Sequence, residues 1–386
     1  MLKNRIYLDH ACTSFPKPEG MALAIVDYIE KNGTNINRGG YQDAYDTAEM
    51  VFETREMLSQ MFNCPDCKNV IFTPNVTTSL NIILKGYLKP GDHVLVSSME
   101  HNAVMRPLTQ LKQSGVAFDR IPCSTKGELL FEELQKHLKP NTKAIVMTHA
   151  SNVCGTVLPI ERVGLFCQEN GLDFIVDAAQ TAGVLPIDMN AMGIDALAFT
   201  GHKSLLGPQG IGGFILKEAM IEKIEPLLSG GTGSISHTEE IPDFMPDRFE
   251  PGTMNLPGIV GLNASLKYLM DVRIQTIYEK EMMLTSLLLE ELSHLPEIKI
   301  VGMPNAVNRT AVVSVQALNH DLAGIAFRLD CEYGIMTRVG LHCSPSAHET
   351  LQTYPTGTLR FSLGHGNTKE EIHYVADALR KILNGI

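Results

Sequence analysis

Short, uninterrupted apolar runs punctuate the first two thirds of the chain: NVIFT at 69–73, HVLVSS at 93–98, VAFDRIP at 116–122, KAIVMTHAS at 143–151, LDFIVDAAQ at 172–180, DALAFTG at 195–201 and GGFILK at 212–217. Rich in Val, Ile and Phe, they predict buried strands. Segments between them, such as 128–138 and 159–170, carry apolar residues at three- and four-residue steps, the period of an amphipathic helix. Strands apolar on both faces and alternating with helices predict an α/β fold on a mainly parallel sheet. Past residue 258 the texture changes. A long helical stretch over 259–294 is followed by IKIVG, RTAVVSVQ, YGIMTRVG and TLRFSLG, interleaved with helical 320–330 and 368–384, which predicts a smaller α+β unit. The Gly/Pro/Ser-rich stretch 227–258 is long for a structureless connection, and loops of that length are more often functional than idle.

Composition narrows the classes. A chain of 386 residues exceeds one typical core and predicts two domains. With 32 basic and 43 acidic residues its formal charge is −11, which argues against an electrostatic footprint for nucleic acid or an anionic membrane. No run of 18 apolar residues and no signal-type N-terminus is present, so a cytoplasmic protein is expected. The eight cysteines (12, 64, 67, 123, 154, 167, 331 and 343) lack framework spacing and read as reduced thiols. Cys64 and Cys67 form CPDC, a zinc or redox spacing without a second pair, and read as a tight turn between helix and strand.

Candidate chemistry collects at predicted strand ends. Lys203 follows the run DALAFTGH; a buried lysine has a depressed pKa, and its neutral amine forms Schiff bases with aldehydes. Asp177 ends LDFIVD, where an acid holds a heteroaromatic ring nitrogen protonated or, equally, caps a following helix. Thr77 and Thr78 open a helical pattern, where free N–H groups and hydroxyls suit a phosphate or serve plain capping. His101, after HVLVSSME, is placed to stack on a flat ring and move protons, or to cap the next helix. In α/β sheets the carboxyl edge is where ligands bind.

Taken together, YLDHACTS, TPNVTTSLN, MEHNAVM, THASNVCGT, IVDAAQTAG, FTGHKSLLGPQGIG, FEPGTMN and TLRFSLGHGNT resemble the class V branch of the fold type I pyridoxal-phosphate enzymes, in the cysteine desulfurase family, closest to its type II (SufS-like, selenocysteine-lyase-like) group. The resemblance implies a fold type I transferase with a large cofactor domain over 20–258 and a small α+β domain formed by 1–19 and 259–386. It implies pyridoxal 5'-phosphate held covalently by Lys203, which then shuttles the substrate α-proton. Asp177 would pair with the ring nitrogen, Gln180 with the phenolic oxygen, and His101 would stack on the ring. Thr77, Thr78, Thr200 and His202 would hold the phosphate. Asn152 and Arg360 would take the substrate carboxylate; a guanidinium fork suits that bidentate task. Thr253 matches a residue that reaches the neighbouring subunit's phosphate, implying a homodimer. Arg38, in NINRGGYQD, is similar to a segment that approaches the partner's site, or is a solvated loop residue.

The reaction turns on Cys343, which matches the nucleophile of desulfurases, with Arg338 and His342 expected beside it to favour the thiolate. Its ordinary alternative is a small packed thiol. The resemblance implies conversion of L-cysteine to L-alanine with a persulfide on Cys343 for a protein sulfur acceptor. Leu341 and Leu206 depart from the type II pattern, while EHNAV and LRFSLG are closer to type I, so subgroup and sulfur versus selenium stay open. Rival readings are a selenocysteine lyase, a class V aminotransferase or epimerase, for which Cys343 has no use, and a non-catalytic sulfur-carrier binding homologue, which has no need of Lys203, Asp177 and Arg360.

Overall fold

A computed structural model describes residues 5–37 and 39–385. The predicted apolar runs form β2 (Val70–Thr73), β3 (His93–Ser97), β4 (Ala117–Ile121), β5 (Thr142–Thr148), β6 (Asp173–Asp177), β7 (Ala196–Thr200) and β8 (Gly212–Leu216). They make one seven-stranded sheet in the order β2-β8-β7-β6-β5-β3-β4. Only β8 runs against the others, because it returns from β7 through the short turn that carries Lys203. Alternate side chains of the central strands enter two cores. Leu95, Ile145, Met147, Phe174, Val176, Leu197 and Phe199 face one side, and Val94, Val96, Val146, Ile175, Ala196 and Ala198 the other. Burial on both faces explains why these strands are continuously apolar instead of alternating.

A second, antiparallel sheet has the order β12-β13-β10-β9, from β9 (Ile298–Val301), β10 (Val312–Ala317), β12 (Arg338–Gly340) and β13 (Thr358–Ser362). The N-terminal strand β1 (Ile6–Tyr7) pairs in parallel with β11 (Ile335–Met336). Leu8 packs with Leu288, Val313, Leu329, Phe361 and Leu379 in the core of this part, which is how Asp9 and Cys12, early in the sequence, come to lie beside β12 and β13.

Two helical expectations change, and one helix lies where none was expected. The stretch 259–294 is two helices, Leu256–Val272 and Ile274–Ser293, interrupted at Arg273, whose φ of 69° is left-handed. Over 128–138 only Glu133–His137 is helical. The helix Gln42–Met61 was not marked by the apolar pattern because its buried face includes Thr47, Thr54, Arg55 and Ser59. Arg55 pairs with Glu250 at 2.6 Å, both side chains 6% exposed, and the Phe72 N–H donates to the same carboxylate at 2.6 Å. This buried pair fastens the 227–258 loop, and Thr253 with it, to the sheet edge. Cys64 and Cys67 flank a turn into β2, in which the Asp66 carboxylate accepts the Lys68 N–H. No group of three or more His, Cys, Asp or Glu among the described residues is placed to hold a metal ion, and no helix there is long and apolar enough to cross a membrane.

Candidate active site

Strand register brings the singled-out residues to one edge. Thr148, Asp177 and Ala198 are neighbours across β5, β6 and β7, while Thr200 and Thr73 both lie opposite Gly212. Beyond Thr73, Asn75 caps the helix Val76–Tyr87, its Oδ1 accepting the N–H and the hydroxyl of Thr78 at 3.0 and 3.2 Å. Thr77 stays exposed in that first turn.

Asp177 is 3% exposed and accepts the Ala179 N–H at 2.9 Å. Burial raises its pKa, opposed by that hydrogen bond and by the charge of Lys203. Desolvation lowers the pKa of Lys203, opposed chiefly by Asp177. Its peptide is fixed from outside: the His202 carbonyl accepts from the Ser14 N–H at 2.9 Å, the Thr13 and Ser14 hydroxyls at 3.1 Å each, and the Lys17 amine at 2.9 Å. The Lys203 amine has no hydrogen-bond partner among the described residues. His101 does cap its helix, Nδ1 accepting the Ala103 N–H at 3.0 Å, yet it also stands near Lys203: burial first, and that positive charge second, lower its pKa to about 4. Its ring is neutral near pH 7.

Arg360, on β13 and 3% exposed, donates to Asp9 Oδ1 at 2.8 Å and to the Asn152 carbonyl at 2.9 Å. The Asn152 amide is occupied with the loop that carries Cys343, donating to the His342 carbonyl and accepting from the Ser344 hydroxyl, both at 2.7 Å. Gln180 donates to the Ala11 carbonyl at 3.1 Å. Cys343 is exposed, at φ 59°, its carbonyl held by the Asn102 N–H at 2.8 Å beside His101.

The expected neighbours of Cys343 are placed elsewhere. Arg338 donates to Cys12 Sγ at 2.8 Å. His342 turns inward to Thr358 Oγ1 at 3.1 Å, and burial drives its pKa down to about 2, so it carries no charge to offer. The backbone at His342 and Cys343 is left-handed, with φ 47° and 59°. Thr253 is exposed and shares a cleft of about 280 Å³ with Thr73 and Thr78 of its own chain. Arg38 lies outside the described residues.

Four contributors escaped the sequence reading: Asp9, Cys12, Asn75 and Glu100. Glu100 is fully buried, accepts the Thr148 N–H at 3.0 Å on both oxygens and the Ser97 hydroxyl, and so ties the end of β3 to that of β5; burial raises its pKa to about 8. An acid beside His101 at the end of an apolar run was the available signal.

The histidines set a pH prediction. Burial lowers His10, His101, His149, His202 and His348 to about 4. Between that value and the unfolded value near 6.5 the unfolded chain binds more protons, so stability rises with pH. Glu100 and Glu281, raised to about 8, act oppositely between about 4.5 and 8, but they are outnumbered below 6.5. The melting temperature of the protein without cofactor should therefore fall as pH is lowered from 6.5 to 4.5; a flat or rising profile by calorimetry contradicts these neutral imidazoles.

The polar atoms left without partners bear on what fits here. Thr200 Oγ1, His202 Nδ1 and Arg360 Nε are buried and unsatisfied, and native structures seldom leave such groups empty-handed. Hydroxyl and imidazole by the strand-end turn, an acid with one uncommitted oxygen, an unpaired amine and an unsatisfied guanidinium fit a phosphorylated nitrogen heterocycle bearing an aldehyde, next to a carboxylate.

The match to known proteins accords with that donor set. Residues 6–375 match the model of the aminotransferase class-V family. The chain belongs to that family. It is 31% identical to a probable cysteine desulfurase of Methanothermobacter thermautotrophicus, covering 99% of this chain and 96% of the relative, and 32% identical to one from Pyrococcus abyssi, covering 99% and 95%. In structure it is similar to the apo cysteine desulfurase of Thermococcus onnurineus, with a TM-score of 0.91 and 28% identity over 99% of this chain and 95% of that one. It is also similar to the Escherichia coli cysteine desulfurase CsdA, with a TM-score of 0.89 and 28% identity over the same shares of the two chains.

Proposed function

We propose that this protein is a pyridoxal-phosphate-dependent cysteine desulfurase that converts L-cysteine to L-alanine and carries the sulfur as a persulfide on Cys343 to a protein acceptor in the cytoplasm. The observation that carries the reading is the meeting of an unpaired, desolvated Lys203 with buried Asp177 on one side and buried Arg360 on the other, with the Cys343 loop tied to the same Asn152 that Arg360 touches. Lys203 would hold the cofactor, Asp177 its ring nitrogen, Gln180 its phenolic oxygen, and Thr77, Thr78, Thr200 and His202 its phosphate, with His101 against the ring. The bound cofactor supplies an electron sink at the substrate's α-carbon. Arg360 orients the carboxylate, and Lys203, whose charged form desolvation disfavours, takes and returns the α-proton. The Cys343 thiolate attacks the substrate sulfur. A sulfur–sulfur bond forms, the carbon–sulfur bond breaks, and its electron pair stays on carbon, which takes up a proton.

Product analysis tests this: the purified, cofactor-loaded protein with L-cysteine should give alanine and, with a thiol reductant, sulfide in equal amount. L-selenocysteine in a parallel assay tells a lyase restricted to selenium from a desulfurase. Keto acid formation without alanine would support an aminotransferase instead.

We further propose a homodimer, with the site between a large unit (20–258) and a small one (1–19 and 259–386). Exposed Leu228 shares a cleft with Thr253, and exposed Leu23, Val26, Tyr45, Phe52 and Leu227 add apolar surface in the segments 21–61 and 227–258. Phe52 and Thr253 line one cleft. Mixing Lys203→Ala with Thr253→Ala chains should regenerate some sites with both residues intact and restore part of the activity. A stable, active monomer by sedimentation overturns the proposal.

A further inference from the structure

We propose that Asp9 sets the charge specificity of the substrate site: it occupies one of a pair of positive charges, so that the site takes an amino acid with a single carboxylate and turns away one with an acidic side chain. The inference rests on the placement of the substrate carboxylate at Arg360 proposed above. Arg338 on β12 and Arg360 on β13 are direct partners in the antiparallel register, which puts their side chains on the same face of the sheet, where like charges repel. One carboxylate serves both. Asp9 Oδ1 accepts from Arg360 Nη2 at 2.8 Å, and Asp9 Oδ2 lies 3.7 Å from Arg338 Nη1. The backbone around Asp9 is stitched to β13 and to the turn that follows: the Ser362 N–H donates to the Leu8 carbonyl at 2.8 Å, the His10 N–H to the Ser362 carbonyl at 3.3 Å, and the Cys12 N–H to the Asp9 carbonyl at 3.0 Å.

This group lies at the reacting amine. Both arginines are near enough to Lys203 for their charges to disfavour its own, and Arg360 is 3% exposed with Nε unpartnered, so it has a donor left for a ligand. Two positive charges against one negative leave one, and one substrate carboxylate cancels it. The other ionisable groups around the pair do not alter that balance. Burial, before any other cause, pushes the Tyr7 phenol up to about 12 and the His342 imidazole down to about 2, so both are neutral near pH 7. Lys203 has its own counter-charge in Asp177, and the Cys12 thiol accepts from Arg338 Nη1 at 2.8 Å. A second carboxylate on the substrate would enter beside a buried guanidinium that already has its partners, with no cation left to meet it, which desolvation makes costly. Without the Asp9 charge the two arginines would match a substrate with two carboxylates instead.

L-Asparagine and L-aspartate test this, since they are nearly isosteric and differ by one charge. Their dissociation constants are read from the change each makes in the visible absorption of the cofactor-loaded protein, without turnover. The wild type should bind asparagine at least about tenfold more tightly than aspartate, and Asp9→Asn should move that ratio at least about tenfold toward aspartate, the size of effect one close charge pair produces. Arg338→Gln should move it the other way. The double variant Asp9→Asn/Arg338→Gln has one positive charge again and should return to within about threefold of the wild-type ratio, a reversal that damage to the fold does not produce. Arg338 is on the surface, its side chain 44% exposed, so its single variant decides even if Asp9→Asn fails to fold. A ratio within about threefold of the wild type in both single variants overturns the inference, and so does a double variant in which the two changes add instead of cancelling. A wild type that prefers aspartate, or an Asp9→Asn protein that binds none, overturns it too. Alanine assay of the wild type with L-cysteine keeps the two readings apart. Alanine with an unchanged ratio leaves the desulfurase standing without this role for Asp9; no alanine removes the desulfurase, while the ratio still decides on Asp9.

Discussion

Lys203→Ala should stop alanine formation from L-cysteine, lowering the rate by at least about 10³-fold, and should leave the protein folded. Both halves come from the same geometry. The amine has no hydrogen-bond partner among the described residues, and desolvation already disfavours its charge, so removing it strands no buried group. The turn is held instead through the His202 carbonyl and its four donors from Thr13, Ser14 and Lys17, all of which survive the change. Loss of stability should stay within about 1 kcal/mol, since the side chain is only half-buried and already borders a cleft of about 300 Å³. Catalysis loses more, because one amine both anchors the cofactor and moves the α-proton, and a positioned general base alone contributes about 10²–10⁴-fold. Visible absorption and alanine assay on the same sample measure the effect. A well-folded Lys203→Ala that keeps a tenth of the wild-type rate would show that another base does the work.

The parts of the molecule legible in the sequence were those set by local pattern. Apolar runs marked the strands of the large sheet, most cleanly the central ones, where burial on both faces leaves no polar positions to blur the signal; the edge strand β4, AFDRI, is half exposed. Strand ends then named Asp177 and Lys203, and the two lie close enough for each to sense the other's charge. What stayed hidden is made by distant partners. Asp9 reaches Arg360 across 351 positions and Arg338 reaches Cys12 across 326; no spacing rule carries such pairings. Arg338, expected to favour the Cys343 thiolate, instead has the Cys12 thiol as its hydrogen-bond acceptor. The helix Gln42–Met61 was missed because its core face is interrupted by Arg55, whose partner Glu250 comes from the far loop.

Cys343→Ser separates the proposed chemistry from its rivals with nearly as large an effect. The residue is exposed and its contact in the fold is through its carbonyl, which accepts the Asn102 N–H; serine keeps that carbonyl and differs by one atom. Stability should change by no more than about 0.5 kcal/mol, the usual range for surface positions. Cofactor capture should be unaffected, since Lys203, Asp177 and the strand-end threonines are untouched. Substrate capture should survive as well, because Arg360 remains fixed between Asp9 and the Asn152 carbonyl. What goes is the atom that receives sulfur. A hydroxyl near neutral pH is a far weaker nucleophile than a thiolate, so kcat should fall by about 10²-fold or more while KM for L-cysteine stays close to its wild-type value, the signature of an interaction made only as the reaction proceeds. With L-selenocysteine the loss should be smaller, because selenide departs more readily and needs less help from the attacking thiolate. Steady-state alanine assays with both substrates decide the matter. A Cys343→Ser protein that forms alanine from L-cysteine at the wild-type rate would reject sulfur transfer through this residue and favour a lyase or epimerase on the same scaffold.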